Sequence, residues 1–574
     1  MDQKVSDFNQ LAALYAKRYA PYELRRDVFG FDLYNVKPWL DQVSKSKDDI
    51  AFYDICVKYV AALQDSHDEF TIPATFEAWL HMDVDVYEGK VLIGFIDRSY
   101  LPSRTYPFVV GDEIVSVDGT AAADLITAFL PYAVNGSGSK VSRQRLAAAS
   151  ITDRYQGWMP IAGLVGDKAT VVIRRQNGNL ETYTIPWDKF GTPITIAGVV
   201  PTPHAIAAPD SSAARFETGH AGSPRRHNPW AVFEGTPAAM EPDAIPEYMK
   251  AIVQTQYGRA AAPAVQLASV GLSPFDNFSP VFNPPAGFKL RLGAKSTDQF
   301  LSGTFPAGPY TIGFIRISTM APPSTSTALN QFFNEIVFLQ SNTDGLVVDV
   351  MGNGGGNGCY SQNLAQALIP TTFRGFAQEI RATLTEVQSF ASSLESAILN
   401  NSPQWVIDLD TLYLQDMQQA LAENRGRTGS LPACSATFDA TPLSDTKGNI
   451  LAYTKPIVVL TDSFTLSAAE IFTMFMQDTK RATILGTRTD GGGGFVVEYD
   501  ATTYSEGAAR VTGSLITRAQ AVQTPDFPLS TYYDGMGIYP DVVQDYQTLD
   551  NLLNGGKTFV TAFTTAISNL IQKK

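Results

Sequence analysis

Cysteine is scarce, with three in 574 residues: Cys56, Cys359 and Cys434. At most one intramolecular disulfide is possible, no spacing suggests zinc, and no metal or cofactor is expected. Basic residues are outnumbered, 43 Lys and Arg against 57 Asp and Glu, a formal charge of −14. That balance argues against a nucleic-acid partner, which needs clustered Lys and Arg. No apolar run approaches the roughly 20 residues of a membrane-spanning helix, so no membrane partner is expected. The start, Met1 to Ser6, lacks the charged-then-apolar order of an export signal. That is expected of a cytoplasmic protein or of one whose signal has been removed.

What the chain does have is apolar bulk: 44% of its residues are hydrophobic, enough for three or four domains. Residues 1–82 read as helical, with apolar residues at helical spacing in Phe8–Tyr15 and Asp49–Leu63. Residues 83–190 change to short strands. Lys90–Ile96 and Val110–Gly119 precede a hairpin of Thr170–Arg175 and Glu181–Pro186 around Asn177-Gly178, with a helical insert at about 121–165. Residues 191–305 are rich in Pro, Ala, Gly and Ser and read as an insert or lid. Three of the five histidines, His204, His220 and His227, lie there at irregular spacing, as in surface loops. From 306 to 574 short apolar strands alternate with helical runs, an α/β core whose sites favour strand C-terminal ends.

Three segments carry chemistry. The apolar run Ile457–Leu460 breaks at a small polar turn and a helix begins, placing Ser467 near its first turn. A helix start can stabilise an oxyanion, yet a serine there is more often only a cap. The strand Gly345–Val350 opens into the glycine loop of Met351 to Gly356. It lacks the Lys-Ser/Thr of a phosphate loop, so the generic reading left is a tight turn. Cys359 follows it with no neighbouring base, which favours a structural thiol over a nucleophile. Asp65-Ser66-His67-Asp68 holds the one histidine in a promising setting, though histidine is also favourable at a helix end.

Together, Asp349 to Gly356 and Thr465 to Glu470 resemble the D-x-R-x-N-x-G-G-like and S-x-S-A-x-E segments of the tail-specific, or C-terminal-processing, serine peptidases (peptidase family forty-one). Val110 to Gly119 resembles a PDZ turn, and Gly535 to Asp541 the closing G-x-G-x-x-P-D motif. The resemblance implies a multidomain α/β fold: an N-terminal helical segment, a PDZ-like β domain and a ClpP/crotonase-like catalytic core. It implies Ser467 as nucleophile and a protein or peptide substrate. Thr489 to Gly494 lacks the lysine of the Ser/Lys branch, so the chain is nearer the branch of the tricorn core protease and the chlamydial protease-like activity factor.

In that branch a histidine from an N-terminal segment is the base. His67 fits it, and Ser66 matches the serine before it. The carboxylate position preceding the closing glycine is Asp534, one methylene shorter than the usual glutamate, with Asp526 as second candidate. The oxyanion donors implied are the amides of Gly354 or Gly355 and of Ala468. Met351 stands where the family has arginine, and Asp478 matches an aspartate of the Ser/Lys branch. The resemblance further implies secretion or a periplasmic location, is compatible with a homodimer, and suggests that residues 195–305 block the site until cleaved. A non-proteolytic protein binding apolar ligands on the same fold, and a hydrolase of esters or non-protein amides, stand as alternatives.

Overall fold

The computed structural model describes residues 1–133, 139–195 and 275–573. Four helices open the chain: Asp2–Arg18, Tyr22–Phe29, Lys37–Val43 and Asp49–Ala61. The last starts where the Asp48 carboxylate accepts the Ala51 amide, a side-chain cap. It packs Phe52, Cys56, Tyr59 and Val60 into one cluster with Phe8, Leu11 and Tyr15 of the first. The helical reading fails before residue 82, because Glu69–Thr71 and Glu77–Trp79 are short strands. Glu69–Thr71 pairs antiparallel with Ala508–Thr512, more than 400 residues away in sequence. That pairing delivers the segment carrying His67 to the C-terminal half of the molecule.

Met82–Tyr87, Lys90–Ile96, Glu113–Val117, Lys168–Arg174 and Leu180–Pro186 lie side by side in that order, all antiparallel. The last two form the hairpin expected at Asn177-Gly178, where Gly178 takes φ +89°, a turn conformation glycine adopts without a Cβ penalty. Helices Ala122–Phe129 and Lys140–Ala149 occupy the insert in this sheet.

The C-terminal half is built on a seven-stranded sheet. Its order is Lys289–Leu292, Leu301–Ala307, Tyr310–Arg316, Gly345–Asp349, Ile457–Thr461, Thr483–Gly486, Val542–Val543. The first two junctions are antiparallel and the other four parallel. Two of these strands fall inside the stretch read from composition as insert. Pro306 is tolerated because the edge strand's pairing ends at Thr304, leaving no ladder bond for its missing N–H to break. Residues 196–274, with His204, His220 and His227, lie outside the described residues.

Side chains alternate along the parallel strands, and both faces are covered. Leu346, Val348, Val459 and Ile484 meet Phe332, Ile336, Leu364 and Phe472 of the helices on one face. Val347, Val458, Leu460 and Leu485 meet Phe559, Phe563 and Ile567 of the C-terminal helix on the other. The continuous apolar runs at 345–350 and 457–460 follow from this double burial. Both strands release the chain at their C-terminal ends, side by side, into the two loops singled out above.

Cys359 and Cys434 form a disulfide spanning 75 residues, and Cys56 is free and buried. The bond ties the helix after the glycine loop, Gly358–Gln366, to the chain beyond the Gln404–Ala422 helix. A Cys359→Ser/Cys434→Ser variant is expected to lose about 2–4 kcal/mol of stability. Thermal melts check this: reductant lowers the wild-type Tm and leaves the variant's unchanged, whereas a reductant-insensitive wild type contradicts the bond.

Candidate active site

Ser467 is the N-cap of the Ala468–Asp478 helix, with φ 59° and ψ −121°. A serine on the left-handed side costs about 1–3 kcal/mol and persists only where its surroundings fix it. Here they do. The Leu466 amide donates to the Asn353 carbonyl at 2.9 Å. The Ser467 amide donates to Glu470 Oε2 at 3.0 Å, and Tyr533 Oη to the Ser467 carbonyl at 3.3 Å. Ser467 keeps some exposure while the residues on either side are buried.

The turn and the glycine loop are laced together. The Gly352 amide donates to Asp462 Oδ1 at 2.8 Å, and Thr465 Oγ1 to the Val350 carbonyl at 3.0 Å. A Cβ on Gly355, which has φ +96°, would lie 2.6 Å from Ser467 Cβ, so only glycine lets the two segments approach this closely. The expected oxyanion donors differ in their state. The Gly355 amide donates within its own loop to Asn353 Oδ1 at 2.9 Å. The Gly354 amide donates to Asp276 Oδ1 at 3.0 Å. The Ala468 amide, first in its helix, has no acceptor among the described residues. Arg316, on the strand beside Gly345–Asp349, places Nη1 2.8 Å from Asp349 Oδ2. A buried guanidinium thus reaches this loop although position 351 is methionine.

His67 is buried, and its Nδ1 lies 2.9 Å from the Gly493 carbonyl. A carbonyl only accepts, so Nδ1 carries the proton and the lone pair of the neutral ring sits on Nε2. The backbone of His67 is held on both sides: its amide donates to Asp65 Oδ1 at 3.1 Å, and its carbonyl accepts Arg510 Nε at 2.8 Å. Ser66 Oγ is buried without a hydrogen-bond partner among the described residues. A Cβ on Gly492 would fall 2.2 Å from that hydroxyl and 2.4 Å from Leu466 Cδ1. The Asp65–Asp68 segment and the Ser467 turn therefore meet at the Gly491–Gly494 run.

That run is fastened to the helix start by Glu470. Its carboxylate accepts the Gly491 amide at 2.8 Å, the Gly492 amide at 3.0 Å and the Thr489 hydroxyl, besides the Ser467 amide. Burial, and then the Asp490 charge, push this carboxyl upward, against the Thr489 hydroxyl and the Gly491 and Ser467 amides.

Asp534 sits behind the glycine run, since a Cβ on Gly493 would lie 2.3 Å from its Oδ1. Its Oδ2 accepts the Ile516 amide at 3.2 Å, and Oδ1 is buried with no hydrogen-bond partner among the described residues. The ring nitrogen expected to meet this carboxylate lies on the Gly493 carbonyl instead. Burial first, then the Asp65 charge, raise the Asp534 pKa to about 8, against the opposing Arg25 charge. Asp526 lies in an exposed hairpin turn, where Arg488 and Thr524 are its partners. Asp478 pairs with Arg518 at the far end of the helix.

Sequence reasoning missed Gly493, whose contribution is a backbone carbonyl and so leaves no residue-type signal. It also missed Asp276, Tyr533 and Arg25. The buried charge of Arg25, in a helix that otherwise reads as solvated, is not visible in sequence.

Residues 311–542 match the model of Peptidase family S41, and residues 77–194 match a PDZ domain. A protein of Chlamydia muridarum (strain MoPn / Nigg) is 23% identical over 601 residues, 99% of this chain and 92% of that one. A protein of Chlamydia trachomatis serovar D is 21% identical over 598 residues, with the same shares. The structure of mature CPAF complexed with lactacystin gives a TM-score of 0.71 at 18% identity, covering 100% of this chain and 99% of that one. The last likeness is one of fold.

The raised Asp534 pKa has a sign that can be checked. Below about 4, the usual unfolded-state value, Asp534 is protonated both folded and unfolded, and its stabilising contribution is fully present. That contribution is lost as pH rises through about 8, where the folded group ionises. Asp534→Asn is therefore expected to flatten the fall in stability between pH 5 and 9, by at most about 1.4 kcal/mol per pH unit. Thermal melts of the two proteins across that range decide it; parallel pH profiles contradict the shift.

Proposed function

We propose that this chain, in which residues 311–542 match Peptidase family S41 and residues 77–194 a PDZ domain, is a serine peptidase that cleaves internal peptide bonds with Ser467 as nucleophile and His67 as base. The observation that carries the assignment is the His67 Nδ1 contact with Gly493, on the same run that Glu470 fastens to Ser467. Nε2 takes the Ser467 Oγ proton as Oγ bonds to the substrate carbonyl carbon. The carbonyl π electrons move to oxygen, and the Ala468 amide, joined by Gly354, donates to the oxyanion. His67 then returns the proton to the leaving nitrogen as the C–N bond breaks. Water, deprotonated by the same Nε2, releases the acyl group and restores the Ser467 hydroxyl. Asp534, largely protonated near neutral pH, supports the glycine run and is no ionised partner of the ring.

Access to the site is the second part of the proposal. The Asp276 carboxylate occupies the Gly354 donor, the Asp276 amide donates to the Gly352 carbonyl at 2.8 Å, and Phe275 packs on Phe464 at 5.2 Å. The end of the insert thus places a carboxylate oxygen on an amide the oxyanion needs, which supports an inhibitory role for that stretch. The PDZ domain suits capture of an extended chain as an added strand. The disulfide supports an oxidising, extracytoplasmic location.

Incubation with a peptide library, read by mass spectrometry, tests both parts. Ser467→Ala and His67→Ala are expected to lower the cleavage rate at least about 1,000-fold, and Asp276→Ala to raise it. Cleavage that survives either loss contradicts the pair; an Asp276→Ala rate at or below wild type removes the inhibitory contact.

A further inference from the structure

The base segment is held by a charge from the first thirty residues. Arg25, on the Tyr22–Phe29 helix, has a side chain only 1% exposed. Its Nη1 donates to the Gln64 carbonyl at 2.6 Å, and its Nη2 lies 3.3 Å from Asp65 Oδ2. Gln64 is a non-glycine residue at φ +53°, a conformation that needs outside support. It receives that support at its carbonyl from Arg25 and at its side chain from Arg143 Nη1, 2.9 Å from Oε1. Asp65 Oδ2 also accepts the Tyr19 hydroxyl at 2.9 Å, while Oδ1 takes the His67 amide. Arg25 therefore grips the two residues immediately before Ser66 and His67. On its other side, a Cβ on Gly535 would lie 3.2 Å from Nη1, so the guanidinium also borders the closing glycine segment after Asp534.

The surrounding charges explain why an arginine is kept there. Burial disfavours the guanidinium charge, and the Asp65 carboxylate 3.3 Å away is the foremost charge opposing that cost. Without it, Asp65 keeps, among the described residues, the Tyr19 hydroxyl, the His67 amide and a hydrogen bond shared with the Asp68 carboxyl, and a buried carboxylate left without its cation takes a proton or shifts. Either change moves the acceptor that fixes His67.

We infer that Arg25 is a positioning residue for the base, acting through Gln64 and Asp65, so that the N-terminal helices complete the active site. The inference rests on the Ser467/His67 assignment. A residue acting only on the base affects turnover and leaves substrate binding alone, and a cation at the same place restores part of its effect.

The test uses the full chain in the Asp276→Ala background and a peptide cleaved in the library, with thermal melts alongside. Arg25→Met is expected to lower kcat at least tenfold with KM changed less than twofold, and Arg25→Lys to recover a substantial part of kcat. Should Arg25→Met fail to fold, Arg25→Lys carries the test, with kcat reduced two- to fivefold at unchanged KM. Wild-type kcat in a folded Arg25→Met protein, a rise in KM as the main effect, or no recovery with lysine overturns the inference. Hydrolysis that is absent, or indifferent to His67, overturns the base assignment and this inference with it. Hydrolysis that needs His67 and ignores Arg25 overturns the role of Arg25 alone.

Discussion

The Glu470 carboxylate is the constraint on which the rest depends. It is fully buried and has four donors: the Ser467 amide, the Thr489 hydroxyl and the amides of Gly491 and Gly492. Burying a carboxyl is costly unless its oxygens are satisfied, so these donors fix each other's positions through it. One group thereby sets the backbone of the serine turn and the course of the glycine run. The Gly493 carbonyl inherits its place from the same anchor, and His67 takes its orientation from that carbonyl. The serine turn and the histidine are thus referred to a single point, even though Ser467 and His67 lie 400 positions apart in sequence.

Other elements close around this centre. The Glu69–Thr71 pairing with Ala508–Thr512 brings the base segment in, and Arg510 holds the His67 carbonyl. The Lys140–Ala149 helix of the PDZ region reaches the site as well. Ser142 Oγ donates to Asp490 Oδ1 at 2.6 Å, and Arg145 Nη1 to Ser463 Oγ at 2.8 Å with its guanidinium 4.2 Å above the Phe464 ring. The N-terminal helices, the PDZ domain and the α/β core each touch the serine turn or the base segment, so none of the three is peripheral to it.

Much of this was legible in the sequence, and for physical reasons. Doubly buried parallel strands leave unbroken apolar runs, so 345–350 and 457–460 announced themselves together with the loops at their ends. The hairpin at Asn177-Gly178 followed from turn chemistry. The strands at 69–71 and 77–79 did not show, because three residues are too few to display a period. The strands at 289–292 and 301–307 are hidden by a proline-rich neighbourhood, although pairing of 301–307 with Tyr310–Arg316, and of 289–292 with 301–307, decides their state. At the site, side chains with an intrinsic chemistry, Ser467 and His67, could be named in advance. The Gly493 carbonyl, the occupied Gly355 amide and the pairing of Arg25 with Asp65 depend on tertiary placement that residue types do not encode. Position before Gly535 points to Asp534, whereas the ring nitrogen sits on the Gly493 carbonyl.

The central claim is that Ser467 is activated by His67 at a helix start. Treating the purified Asp276→Ala protein with a fluorophosphonate probe, and mapping the adduct by peptide mass spectrometry, addresses it directly. A single adduct on Ser467 that disappears in a His67→Ala variant is the predicted result. Labelling that persists without His67, an adduct on another serine, or no adduct at all would contradict it.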